Sequence, residues 1–201
     1  MIRQHHSSAR VAASLLFTAI ICMGPALGAS PSGAASIADA GQASVMEWTD
    51  LRTESAGAPV YRKLWADKIE VARSQWKKSG SEATQLPVFT LGHTFANASP
   101  PVLVSFLFDL YDCELPGNGD GSNLYAKCVM RVASGAPGAV KVKTRDRVCM
   151  LYVPPVDKPG EGPDPSQNYT TTAIGADRVL HIRVVQFGKP VSGCDSDFKV
   201  E

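Results

Sequence analysis

Pro59-Val-Tyr-Arg-Lys-Leu-Trp-Ala-Asp-Lys-Ile-Glu-Val-Ala-Arg-Ser-Gln-Trp-Lys-Lys78 places Tyr61, Leu64, Trp65, Ile69, Ala72 and Trp76 at helical spacing. Arg62, Lys63, Lys68, Glu70, Arg73 and Lys77 fill the other side, so the segment predicts one amphipathic helix with Pro59 in its first turn and Gly80 at its exit. After Gly80 the period changes. Val102, Val104, Phe106, Phe108 and Leu110 alternate with Leu103, Ser105, Leu107, Asp109 and Tyr111, which predicts a central strand buried on both faces. Further strands are expected near Tyr125 to Val132, Val140 to Lys143, Arg147 to Val153 and Arg178 to Phe187, between clusters of Gly, Pro, Asn and Asp. One helix followed by strands predicts an α+β domain, with an N-terminal amphipathic helix packed on an antiparallel β-sheet. A β-sandwich with an appended helix is the alternative. Strands do not alternate with helices, so a doubly wound dinucleotide fold lacks its structural context.

Upstream, Arg3, His5, His6 and Arg10 precede a mostly apolar run from Val11 to Met23, which Gly24-Pro25 ends and Ala26-Leu27-Gly28 follows. This is the pattern of a signal peptide over residues 1–28, cleaved after Gly28. The run is shorter than the ~20 residues of a spanning helix, and Ile21 stands before Cys22 where a lipidation signal needs a small residue. No membrane span is therefore expected in the mature chain, and its place is periplasmic or secreted. Residues 29–57, which begin with an Ala-, Ser- and Gly-rich stretch, are expected to be a flexible mature N-terminus, and residues 58–201 a single α+β domain.

Cys113, Cys128, Cys149 and Cys194 remain after cleavage, an even number that predicts two disulfides in an oxidising compartment. Of the three connectivities, the sequential one is preferred: Cys113 with Cys128 closes a local loop, and Cys149 with Cys194 ties the tail to the core. No Cys-x-x-Cys pair suggests a metal, and no cofactor is expected. With 20 basic and 19 acidic residues, the chain also lacks the broad positive field that nucleic acid requires.

Several fragments imitate catalytic or ligand motifs. Ser74-Gln-Trp-Lys77 has the Ser-x-x-Lys spacing of penicillin-recognising enzymes, but Lys143-Thr144 is followed by Arg145 where those enzymes need Gly. Gly117-Asn-Gly-Asp-Gly-Ser-Asn123 offers alternating oxygens, yet it has Asn123 where a calcium loop needs Gly and Val129 where it needs a bidentate Glu. It reads as a hairpin loop. His93, with Asp109 or Asp112 near in sequence, and His181 are the two histidines left for general-base chemistry.

The pattern with more content is a segregation of charge. Lys127, Arg131, Lys141, Lys143, Arg147, His181 and Arg183 alternate with apolar residues along strands. Acidic residues collect in loops, Asp112, Glu114 and Asp120 in one and Asp157, Glu161 and Asp164 in another. If the polar strand faces coincide, Lys141, Lys143, Arg183, His181, Lys127 and Arg131 form a basic binding surface for a protein partner or an anionic wall polymer. The expected function is then that of an exported, non-catalytic binding or inhibitor protein of the bacterial envelope, of the immunity or lysozyme-inhibitor type. The alternative is a small cell-wall or ester hydrolase using His93 or His181.

Overall fold

Apolar side chains on both faces of the Val102–Phe108 segment demand a cover on each side, and two different covers meet that demand. The structure, a computed structural model, describes residues 43–78, 89–108, 112–116, 123–136, 138–153 and 162–200. In chain order the elements are β1 (Ser44–Val45), β2 (Glu47–Asp50), α1 (Ala58–Leu64), α2 (Ala66–Lys78), β3 (Phe89–Phe95), β4 (Val102–Phe108), β5 (Tyr125–Ser134), β6 (Lys141–Leu151), β7 (Tyr169–Ile174), β8 (Val179–Gln186), β9 (Lys189–Pro190) and β10 (Ser196–Lys199). The first sheet has the order β2-β3-β4-β5-β6. The second has the order β1-β7-β8-β10, with β9 also on β8, and the pairings in both sheets are antiparallel.

On the inner face of the first sheet, Val102, Val104, Phe106, Met130, Val148 and Met150 share one buried core with Leu180, Ile182 and Val200 from the second-sheet side. On its outer face, Leu103, Leu107 and Val129 receive Tyr61, Trp65 and Ile69 from the helices. Strand alternation explains both covers, because successive residues of β4 point to opposite sides.

The expectation of a single helix on a single antiparallel sheet is thus corrected. The described residues are mostly β, with two antiparallel sheets and two short helices. The physical reason lies in β8: Leu180, Ile182 and Val184 are fully buried, so this strand closes the inner face as part of a separate layer instead of extending the first sheet. Ser44 to Asp50, inside the stretch expected to be a flexible N-terminus, also forms strands. β1 belongs to the second sheet and β2 to the first, and the chain changes sheets at buried Met46, whose N–H donates to the Thr170 carbonyl at 2.9 Å.

The segment read as one helix breaks at Trp65. The Tyr61 carbonyl still accepts the Trp65 N–H at 2.9 Å, but the Leu64 carbonyl accepts from the Arg131 guanidinium of β5 at 2.5 Å. A side chain from the sheet has taken a carbonyl that a continuous helix would use internally. Close approach of α1 to the sheet is made at Gly92, where a Cβ would stand 2.7 Å from Tyr61 Cζ. The two expected segments at Val140 to Lys143 and Arg147 to Val153 form one strand, β6, with a bulge where Asp146 and Arg147 together oppose Val129 and Arg147 takes φ 58°.

Both preferred disulfides are present, Cys113–Cys128 with Cα atoms 4.3 Å apart and Cys149–Cys194 at 5.3 Å. They fit an oxidising, extracytoplasmic compartment. No helix of the described residues is long and apolar enough to cross a membrane. The segment expected to be a signal peptide, Gly80, residues 109–111, and most of the two acidic loops, at 117–122 and 154–161, lie outside the described residues.

Candidate functional site

The six residues expected to form one basic surface occupy three. Arg131 sits on the outer face of the first sheet beneath the helices, its side chain only 12% exposed. It makes a two-pronged pair with Asp67, 2.6 Å at each oxygen, and lies 4.5 Å over the Trp65 ring. Trp65 is itself fully buried and donates its indole N–H to Ser105 Oγ at 3.0 Å. Arg131 is therefore a clamp between helix and sheet. The pairing holds the Asp67 carboxyl down at about 2, against an opposing push from burial. Lys127 shares this side of β5 and is exposed, with its backbone bridged to Glu114.

His181 and Arg183 belong to β8 and point away from the core, on the far side of the second sheet. Both reach Asp197 on β10: His181 Nδ1 at 2.8 Å and the Arg183 guanidinium at 2.8 Å, with Asp195 a further 3.6 Å partner of Arg183. The Arg183 hydrogen bond above all, with His181 assisting, holds Asp197 below the usual carboxylate range. Acidic neighbours here offset much of the positive charge.

Lys141 and Lys143 lie on β6, opposite Ser134 and Val132, with Arg145 opposite Met130. They therefore share the inner side of the first sheet, and Lys141 and Arg145 are exposed. Arg145 reaches within 5.9 Å of the Phe198 ring on β10. Val140 and Val142, the apolar residues that alternate with these cations, are 55% and 50% exposed. The reason is the register: Val142 pairs with Ala133 on the outer side, at the outermost strand of the sheet and near the hairpin end.

With Val60 of α1, itself 55% exposed, these valines line an open groove of about 650 Å³. Leu64, Leu103 and Ala133 form its floor and Lys63 stands among its lining residues. The hairpin end that closes this groove requires Gly135, at φ 136°, because a Cβ there would press on the Ala139 carbonyl carbon at 3.1 Å. Sequence reasoning missed the groove. The signal was present in Val140-Lys-Val-Lys143, whose alternation gives one apolar side but cannot say what covers it.

The histidines are placed differently from each other. His93 is on β3, on the inner side with Leu91 and Phe95, half-buried, its ring 4.7 Å from Phe95. Burial pushes its imidazole below the ordinary range, with Glu47 pulling the other way. It lines a cavity of about 590 Å³ with Ser44, Asn97 and Arg178. Glu47 pairs with Gly92, one residue along, so strand alternation puts its side chain on the opposite face from His93. Asp112 is bound to Lys68 at 2.7 Å, and Asp109 lies outside the described residues. His181 has its carboxylate, but its strand neighbours across the sheet are Ala173 and Asp197. Ser74 and Lys77 are exposed on α2, and no cluster of metal-binding side chains is found among the described residues.

Comparison with protein-family models, with curated proteins and with solved structures gives no match.

Proposed function

We propose that the chain is an exported, non-catalytic binding protein of the bacterial envelope, periplasmic or secreted, which neutralises an envelope-active enzyme in the manner of immunity proteins and lysozyme inhibitors. The observation that carries the proposal is the groove beside β6. Single exposed apolar residues are ordinary, but Val60, Val140 and Val142 line one concavity next to a cationic strand. A partner that buries the valines and meets Lys141 and Lys143 with carboxylates gains apolar contact and electrostatic steering together. An anionic wall polymer would use the cations and leave the valines in water, so the groove favours a protein. Against the hydrolase alternative stands the separation of parts among the described residues: His93 has a cavity without a bonded carboxylate, and His181 has a carboxylate on the outward face of the second sheet.

The test is site-specific photocrosslinking in an envelope preparation. A crosslinker at Val142 should capture a discrete protein, and one at Val45, which is 53% exposed on the second sheet, should not. Reversing Lys141 and Lys143 to Glu should slow that capture and remove its salt dependence. Capture from position 45 alone, or identical capture by the reversed variant, would reject the proposal.

A further inference from the structure

We infer that the partner is held by strand addition: an extended acidic segment of the partner protein pairs along the outer edge of β6 and continues the first sheet. The inference rests on the binding reading above and specifies its chemistry. β6 ends the strand order, and over Lys141 to Arg147 its one strand partner among the described residues is β5. Six of those residues are exposed and Lys143 is partly so. Up to Arg145, before the bulge, this edge extends about 17 Å, and among the described residues no strand pairs with its outward main-chain donors and acceptors, which is the template used in β-augmentation.

The side chains on that edge select the occupant. Lys141, Lys143 and Arg145 stand on one side of the strand and Val142 on the other, continuous with the groove against Val60. An added strand with acidic residues at alternate positions would set carboxylates against the cations, while its intervening apolar residues would cover the valines. A second copy of this chain fits poorly. Antiparallel self-pairing centred on Lys143 would set Lys141 against Arg145 and Lys143 against its own copy, like charges directly opposed. Lysine on an edge is a common guard against unwanted pairing. The same charges that repel another basic edge attract an acidic one, and a guard alone would not place half-exposed valines beside it. The bulge at Asp146 and Arg147, with Arg147 paired to Glu114 at 3.4 Å, ends the regular edge and fixes where an added strand must stop.

The experiment uses the full mature chain and a fluorescent acetyl-Glu-Val-Glu-Val-Glu-Val-Glu-amide peptide. The peptide should bind and slow exchange at least tenfold at the outward-facing amides between residues 141 and 145. The Lys141→Glu, Arg145→Glu double variant, with unchanged melting temperature, should bind at least tenfold more weakly and accept the Lys-Val counterpart instead. Two N-methylated peptides then test the main chain, one methylated on all Glu amides and one on all Val amides. Strand addition uses alternate amides, so one peptide should lose binding more than thirtyfold and the other should stay within about threefold. No binding, equal tolerance of both methylation patterns, or binding without exchange protection would overturn the inference. So would a stable dimer of this chain that the peptide displaces. If crosslinking from Val142 succeeds while the peptide fails, strand addition is wrong and the binding proposal stands; failure of both removes both.

Discussion

Arg131 satisfies three partners with one guanidinium: the Leu64 carbonyl released at the helix break, the Asp67 carboxylate and the face of Trp65. Arg131→Ala should cost about 2–3 kcal/mol in urea unfolding, because it strands a carbonyl and uncovers a buried indole. Arg131→Lys should recover less than half, since an ammonium cannot reproduce the fork. Full recovery by Lys would mean that charge alone matters. Asp67 adds a pH dependence whose sign is fixed by the direction of its shift. Pairing lowers its folded value from 3.8 to about 2, so its contribution is complete above about pH 4 and disappears as pH falls through about 2. The Asp67 side chain is 63% exposed, and screening keeps the contribution below about 1 kcal/mol. The stability gap between the native chain and Asp67→Asn should therefore be open near pH 5 and closed near pH 2; a gap of equal size at both would reject this account. In the sequence Arg131 is one alternating cation among several. Its partner lies 64 residues away, and alternation carries no information about such a distance.

At the scale of elements, the helix stripe and the alternation of β4, β5 and β8 were legible because each depends on neighbours within a few residues. Tyr61, Trp65 and Ile69 are buried as their spacing predicts. β3 was illegible: Gly92 interrupts its pattern, and that glycine is needed for contact with Tyr61, which only the folded chain reveals. The polar Thr144-Arg-Asp146 run hid the continuity of β6 in the same way. At the candidate site the exposure of Val140 and Val142 was not legible, since an apolar side of a strand reads the same whether a layer covers it or water does. Exposure makes a sharp prediction. Val142→Ser should change stability by no more than ~0.5 kcal/mol, whereas Phe106→Ala, from a fully buried position on β4, should cost about 3–5 kcal/mol by thermal or urea unfolding. A large loss at Val142 would show that the valine is packed and would remove the groove as a docking surface.

For the whole molecule, the central question is what keeps the second sheet on the first, since the two meet through side chains and a sheet change at Met46. Cys149 on β6 and Cys194 just before β10 are both buried, in one small cluster with Val184, and their bond joins the two sheets. Cys113–Cys128 instead fastens a loop to its neighbouring strand. Sequence separation of 45 against 15 gives loop-closure contributions of about 4 and about 3 kcal/mol, a difference too small to separate their roles by global unfolding alone. Location separates them. In a Cys149→Ala, Cys194→Ala variant, β10 keeps its pairing to β8 but loses its covalent tie to β6, so amide exchange should accelerate at Ser196–Lys199 while β3 and β4 keep their protection. In a Cys113→Ala, Cys128→Ala variant, exchange should rise around Glu114 and Lys127, whose backbone bridge sits beside that bond. Exchange that rises uniformly in both variants would mean that the sheets unfold as one unit, with neither disulfide acting as a staple between layers.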